Sequence, residues 1–397
     1  MLCSVAGTGE QLMRRRQFVS LAGAAGLGAL VRPGPLEARP AVERSGLARP
    51  QPAGEGPVLG CQRAPTDARR LQHFKRHGVD HICGYPPGEH SPSAWTVESL
   101  SRLRDLCESH GVSLDMVQFP MLSSASIDRM SPQHAVNPLG GPVVRKGIML
   151  GREPERQREI DEVHAIIRHC ARVGIPAVKY NMNLLGVLRT PDTPGRGGSR
   201  YSTWRLARAR QEPPLTAAGV VSAETAWERI TYFLERVVPV AEEHRIRLAC
   251  HPHDPGVPAA GFRGVARVLG TVEGLKRFVD IAQSPYHGLN LCLGSTAEML
   301  QDPAAGIHDV IRYFGERGKI FNIHFRNIRG RRDDFQEVFP DEGDMDMVAV
   351  MRTLKQAGYR HMVMPDHLPH HDDDPRQDQA FAFGYGYIKA LIQAVKA

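Results

Sequence analysis

Four short segments in the second half of the chain carry side chains that bind metals. They read CHPHD at 250–254, LCLGS at 291–295, NIHFRN at 322–327 and MPDH at 364–367. Singly, a His or Cys in such a place is ordinary packing. Together, His251, Cys292, His324 and Asp366 offer two imidazoles, a thiolate and a carboxylate. That set suits a borderline-soft divalent ion such as Mn²⁺, Fe²⁺, Co²⁺ or Zn²⁺. The four are far apart in sequence, so no local motif holds them. Only elements that converge in space can do so.

The pattern of the chain supplies such elements. After residue 57, short apolar runs alternate with longer amphipathic ones, the signature of βα units and a parallel sheet. The candidate strands are Val58–Cys61, Val79–Gly84, Val112–Phe119, Ala177–Met182, Arg247–His251, Gly288–Leu293, Lys319–Phe325 and His361–Asp366. Helical stretches such as REIDEVHAIIRHCARVG and MVAVMRTLKQAG end on a glycine shortly before the next strand, as helices stopped by a left-handed cap do. Eight units predict an α/β fold, a single (β/α)₈ TIM barrel, over an open doubly wound sheet. No Gly-rich dinucleotide fingerprint opens any of the helices. In such a barrel the quartet lies at the C-terminal ends of strands five to eight, the face that carries active sites. Long loops follow strands three and four, at 120–151 and 183–222. They are expected to cover the site, and Arg189, Arg196, Arg200 and Tyr201 in the second are candidates to meet an anionic substrate. The alternative for that stretch is a disordered Gly/Arg-rich loop.

The composition is that of a soluble globular protein, with 42% hydrophobic and 23% charged residues among 397. The net charge of +7 is uneven, with five Arg against two acidic residues in 1–40, and the rest shows no long basic run interleaved with aromatics, which excludes a nucleic-acid footprint. Seven cysteines with long spacings and no CxxC pair argue against a disulfide framework. Buried packing is the expectation for all but Cys292 and the leader's Cys3. Arg14, Arg15 and Arg16 precede Gln17, Phe18 and Val19 and a short Gly/Ala/Leu run. This resembles a twin-arginine export signal and is too short and Gly-rich for a membrane span. The expected organisation is a signal at 1–40, a flexible linker at 41–56 and a catalytic barrel at 57–397. Export would place the protein in the periplasm with no stable membrane span.

Several segments resemble the D-mannonate dehydratase family, with motifs in order from about residue 145 to 390. They are KYNMN at 179–183, His251-Pro252-His253-Asp254-Pro255, GLNLCLGS at 288–295, His324-Phe325-Arg326-Asn327, FQEVFPDEGDMDM at 335–347 and Pro365-Asp366-His367. The resemblance implies a metal, usually Mn²⁺, held by His251, Cys292, His324 and Asp366. It also implies dehydration of the sugar acid D-mannonate to 2-keto-3-deoxy-D-gluconate. His367 resembles the family's acid/base histidine; the other reading makes it an orienter of Asp366. Asn181, Arg196, Arg200, Arg326 and Asn327 are the candidate substrate-binding residues. The chain departs from the family at His253, where an Asp is usual, and in lacking a Tyr soon after Asp366-His367. Tyr385 is the first to follow, and with Tyr387 it is the candidate for that role. These departures keep open a sugar or keto-sugar isomerase or epimerase on the same barrel, and an exported sugar-binding protein without turnover. A homo-oligomer is compatible with the sequence.

Overall fold

The computed structural model describes residues 56–88, 92–130 and 146–396. The segment read as an export signal, all but the last residue of the linker, and the middle of the loop after the third strand lie outside the described residues. Twelve strands are described: β1 (Val58–Cys61), β2 (His81–Gly84), β3 (Ser113–Gln118), β4 (Ala177–Asn181), β5 (Thr190–Pro194), β6 (Arg200–Arg205), β7 (Arg247–His251), β8 (His287–Cys292), β9 (Ile320–His324), β10 (Ile328–Arg331), β11 (Asp334–Glu337) and β12 (Met362–Met364). Eight of them close a parallel barrel in the order β1-β12-β9-β8-β7-β4-β3-β2. The expected strands are all present, several trimmed by a residue or two at each end. Asp366 stands two residues beyond β12, and Leu293 opens a short helix instead of ending β8.

Side-chain alternation divides the barrel wall into two faces. On β4, Val178 and Tyr180 join the apolar shell under the helices. Ala177 joins a small interior cluster with Cys83, Met116, Ala249, Phe321, Met362 and Met364, so Lys179 and Asn181 follow it inward. On β7, Ala249 and His251 share the interior while Cys250 packs in the shell. The barrel interior is therefore closed by apolar side chains at one level and filled by polar ones toward the C-terminal ends.

The helices between the strands start where polar caps precede amphipathic runs. Asp67, Thr96, Ser222, Thr271 and Asp302 each accept a backbone N–H from three residues on, each cap contributing about 1 kcal/mol. The helix Glu155–Val173 stops at Gly174, whose φ of 84° suits glycine. Among the described residues no helix is long and apolar enough to cross a membrane.

The stretch 183–222 is not a simple loop. Its β5–β6 hairpin joins the β10–β11 hairpin in a four-stranded antiparallel sheet of order β10-β11-β6-β5. Phe335 pairs with Trp204 and Gln336 with Thr203. On β6, Tyr201, Thr203 and Trp204 are buried. The strand alternation sits inside a Gly/Arg-rich context, and its partner strand lies more than a hundred residues downstream, which hides the sheet from a local reading.

Candidate active site

His251, Cys292, His324 and Asp366 meet at the C-terminal end of the barrel, with ligand atoms all within 4.8 Å of one another. Each imidazole has one nitrogen occupied elsewhere. His251 Nδ1 donates to the Pro252 carbonyl at 2.6 Å, which turns Nε2 to the cluster. His324 Nε2 donates to Gln62 Oε1 at 2.9 Å, and its Nδ1 is buried with no hydrogen-bond partner, 3.4 Å from Asp366 Oδ1. Second bonds of this kind set the tautomer of a metal-binding histidine. Cys292 caps the one-turn helix Leu293–Ala297 and accepts from Ser295 N at 3.3 Å. Its thiol faces Asp366 Oδ2 at 3.7 Å.

Electrostatics prepares the same groups. Burial and the neighbouring His324 push His251 down to about 3, and burial lowers His324 as well. Both rings are neutral at pH 7 and carry a lone pair. Burial would raise Asp366, but His324 and His367 hold it well below the usual carboxylate range. Burial raises the Cys292 thiol, with Arg326 opposing. Two neutral imidazoles, a carboxylate and a thiol that ionises on binding, together with the partnerless Nδ1, fit a divalent ion.

Behind the quartet lies a buried ion network. Arg326 is 1% exposed. It donates to Asp254 Oδ2 at 2.7 Å, Ser295 Oγ at 2.9 Å, Glu298 Oε1 at 2.9 Å and Glu337 Oε1 at 2.7 Å. A Cβ at position 294 would stand 2.1 Å from its Nε, so Gly294 is what lets the guanidinium through. Arg189 forms ion pairs with Asp254 Oδ1 at 2.6 Å and with Glu337. Burial and the nearby Asp254 carboxylate push Glu298 up to about 8. Glu337 is held at about 2 because the two arginines outweigh its burial. His367 completes the network, with Nδ1 3.0 Å from Glu337 Oε1 and 2.7 Å from Arg326 Nη1. Its Nε2 lies 4.0 Å from Asp366 Oδ2, and its side chain is 39% exposed, so it borders the cleft. Burial opposes its charge, but Asp366 and Glu337 push it up to about 9.

The cleft holds about 250 Å³ and is lined by the quartet's His251, His324 and Asp366, by His367 and Asn181, and by residues from the early strands, among them Gln62, Arg63, Tyr85, Gln118 and Lys179. Other residues singled out from the sequence are placed elsewhere. Arg326 is spent on the carboxylates beneath the cleft. Asn327 braces the following loop, donating to the Pro340 and Met345 carbonyls at 3.0 Å each. Arg196 forms a two-pronged pair with Asp341 at 2.6 and 3.0 Å, and Arg200 pairs with Asp372 at 2.8 Å. The Tyr201 hydroxyl donates to Glu342 Oε2 at 2.6 Å. Tyr385 is fully buried on the inner face of the last helix, its hydroxyl 2.9 Å from Cys61 Sγ on the outer face of β1. That position gives it no route to the cleft. Tyr387 stacks on Phe383 at 6.1 Å. His253 is tied to the Met182 carbonyl at 2.7 Å and Leu269 N at 3.3 Å, so the departure there leaves the quartet untouched. Gln62 was not legible as a site residue, because it follows β1 in a part of the chain without a quoted motif, and Lys179 lay inside KYNMN with no role that spacing could assign. Asp254 and Glu337 lay inside the quoted motifs but had no role that spacing could assign.

The family model described as D-mannonate dehydratase (UxuA) matches residues 200–396. A mannonate dehydratase of Thermotoga neapolitana is 30% identical over 331 residues, spanning 73% of this chain and 82% of the relative. Mannonate dehydratase 2 of Halalkalibacterium halodurans is 27% identical over 332 residues, 76% of this chain and 88% of the relative. The crystal structure of mannonate dehydratase from Streptococcus suis superposes with a TM-score of 0.69 at 24% identity, covering 86% of this chain and 94% of that one. A xylose isomerase domain protein of Alicyclobacillus acidocaldarius shares the fold at a TM-score of 0.53 and 14% identity, over 86% and 99% of the two chains. With a metal-ligand quartet at the mouth of its barrel and an extended match to these relatives, the chain belongs to the mannonate dehydratase family.

Proposed function

We propose that the protein is a metal-dependent hydro-lyase that removes water from a sugar acid, D-mannonate in the first instance, to give 2-keto-3-deoxy-D-gluconate. One observation carries the reading: His367 lines the same cleft as the quartet while its Nδ1 is held by Glu337 at 3.0 Å. Dehydration takes a proton from C2 and gives one to the departing 3-hydroxyl. With Nδ1 committed, Nε2 is the atom left to exchange a proton with substrate. Glu337 stabilises the ring when it is charged, and Asp254 and Glu298 keep the Arg326 guanidinium in place behind it. Gln62 ties the two ligand side chains His324 and Asp366 to each other, accepting from His324 and donating from Nε2 to Asp366 Oδ1 at 3.0 Å. When bound by the quartet, Mn²⁺ supplies positive charge beside the substrate's carboxylate end, where negative charge grows as C2 loses its proton.

The test is to incubate the Mn²⁺-loaded protein with D-mannonate and measure 2-keto-3-deoxy product separately from isomerised sugar. His367→Asn should keep its metal and lose about 10²-fold or more in rate. Near-normal turnover in that variant would transfer the role to another group. A second reading, isomerisation or epimerisation of a sugar, is favoured by one feature. The first tyrosine after Asp366-His367 is Tyr385, and it is buried against Cys61. Isomerised sugar as the sole product would establish that reading in place of the first.

A further inference from the structure

The cations around the cleft differ in how they are paired. Arg326 and Arg189 are neutralised by Asp254 and Glu337, and Arg326 also bonds Glu298. Arg63 pairs with Asp378 at 3.0 Å and lies 4.3 Å over the Phe381 ring. Lys179 is the exception. It faces the interior from β4, lines the cleft, and is 5% exposed. Its Nζ donates to the Gln62 Oε1 amide oxygen, and among the described residues no carboxylate stands within ion-pair distance of it. An ammonium taken out of water without a counter-charge costs several kcal/mol. The quartet would not repay that cost with its metal bound, because the divalent ion would balance the charges of its thiolate and carboxylate. Nor does the network behind His367, whose carboxylates are taken by the two arginines.

We propose that Lys179 is the anchor for the substrate's carboxylate, and that it makes the site select sugar acids over neutral sugars. The inference rests on the sugar-acid reading above and assigns the residue that enforces it. A carboxylate entering the cleft supplies the missing counter-charge. It holds the acid end at Lys179, beside Gln62, so that the adjoining carbons run toward His367. A neutral sugar entering the same cleft leaves the ammonium unpaired and sacrifices that gain. Discrimination by a buried polar group left without its partner is large in general. Arg326, the residue whose type best fits a carboxylate, has no donor geometry to spare for this role, and Arg196 and Arg200 are paired with Asp341 and Asp372.

The experiment uses the Mn²⁺-loaded full-length protein. Binding of D-mannonate, its uncharged amide and D-mannitol is measured by calorimetry for the wild type, Lys179→Met and Lys179→Arg, with metal content as a control. The wild type should bind the acid about 30-fold or more tighter than the amide or the polyol, the scale for losing a buried charge partner. Lys179→Met should lose that preference with polyol affinity and metal content unchanged, and with KM rising more than kcat falls. Lys179→Arg should recover part of it. Acid affinity in Lys179→Met within about threefold of wild type overturns the role of Lys179 and leaves the dehydratase reading standing. A wild type that binds acid and amide alike overturns the anchor even if Lys179→Met does not fold. If the acid preference is present and lost in Lys179→Met but no 2-keto-3-deoxy product forms, the anchor stands and the dehydratase reading falls.

Discussion

At the scale of single residues, the site depends on which atoms are already bonded. His251 Nδ1 and His324 Nε2 are committed to Pro252 and Gln62, so the opposite nitrogens face one point. Metal content should therefore fall to a small fraction in each of His251→Ala, Cys292→Ala, His324→Ala and Asp366→Ala. Cys250→Ala should keep a full equivalent, because Cys250 packs in the apolar shell on the other face of β7. Elemental analysis of the five variants decides this, and metal retained in all five would dissolve the cage. The state of each ligand before binding makes a second prediction. His251, lowered to about 3, and His324 bind without losing a proton at pH 7. Asp366 is already ionised. Only the Cys292 thiol, raised by burial, has a proton to give up. Binding at neutral pH should release about one proton per ion, and affinity should weaken on acidification as the thiolate is reprotonated. Calorimetry in two buffers of different ionisation enthalpy reads the number directly, and zero release would mean that sulfur is not a ligand.

At the scale of elements, the last helix, Asp378–Lys396, is tied to the front of the barrel by one carboxylate. Asp378 Oδ1 accepts from Arg63 at 3.0 Å and from Arg70 at 2.5 Å. Burial would raise this group, but the two guanidinium groups bring it down to about 2. A depressed carboxylate contributes stability above its unfolded value, about 3.9, and loses it as pH falls through the folded value. Asp378→Asn should lower stability at pH 7 by about 1–2 kcal/mol, allowing for partial solvent screening. The difference from wild type should shrink between about pH 4 and pH 2. Urea denaturation across that range measures it, and a difference independent of pH would show that the ion pairs contribute nothing. The antiparallel sheet illustrates the same level of organisation. Its β5–β6 hairpin is preceded by Arg189 and its β11 strand ends with Glu337, and the bond between them places the hairpin over the ion network behind His367.

At the scale of the whole molecule, the quartet exists only because the barrel closes. Four consecutive barrel strands each deliver one ligand at the same end, and the flanking strands β1 and β4 bring Gln62 and Lys179 in from either side. We also propose that the folded protein is exported by the twin-arginine route, supported by Arg15-Arg16-Gln17-Phe18 and the apolar run that follows. That route carries folded proteins, so the metal would be bound before transfer. Replacing Arg15 and Arg16 by Lys should leave the protein in the cytoplasm with its metal in place. Fractionation of cells would show this, and unchanged export would mean that the segment is not such a signal.

The sequence by itself determined the barrel and the metal quartet, for a shared reason. Strand-and-helix periodicity is local, and a ligand at a strand end is read from a strand and the residue that ends it. The order of the strands then follows from chain order, because parallel strands joined by helices leave few other arrangements. The place of His367 at the cleft was legible too, as the neighbour of Asp366. What only the tertiary structure decided are contacts between distant segments. The pairing of β6 with β11 is one such contact. The internal neutralisation of Arg326 and Arg189 is another, and it removed residues whose type alone suggested substrate binding. Tyr385 looked available because it is the first tyrosine after the ligand Asp366. Helix geometry turned it inward onto Cys61. Lys179 opens the KYNMN motif, but only the structure showed that, among the described residues, it lines the cleft without a carboxylate partner while Arg63, Arg189 and Arg326 have theirs.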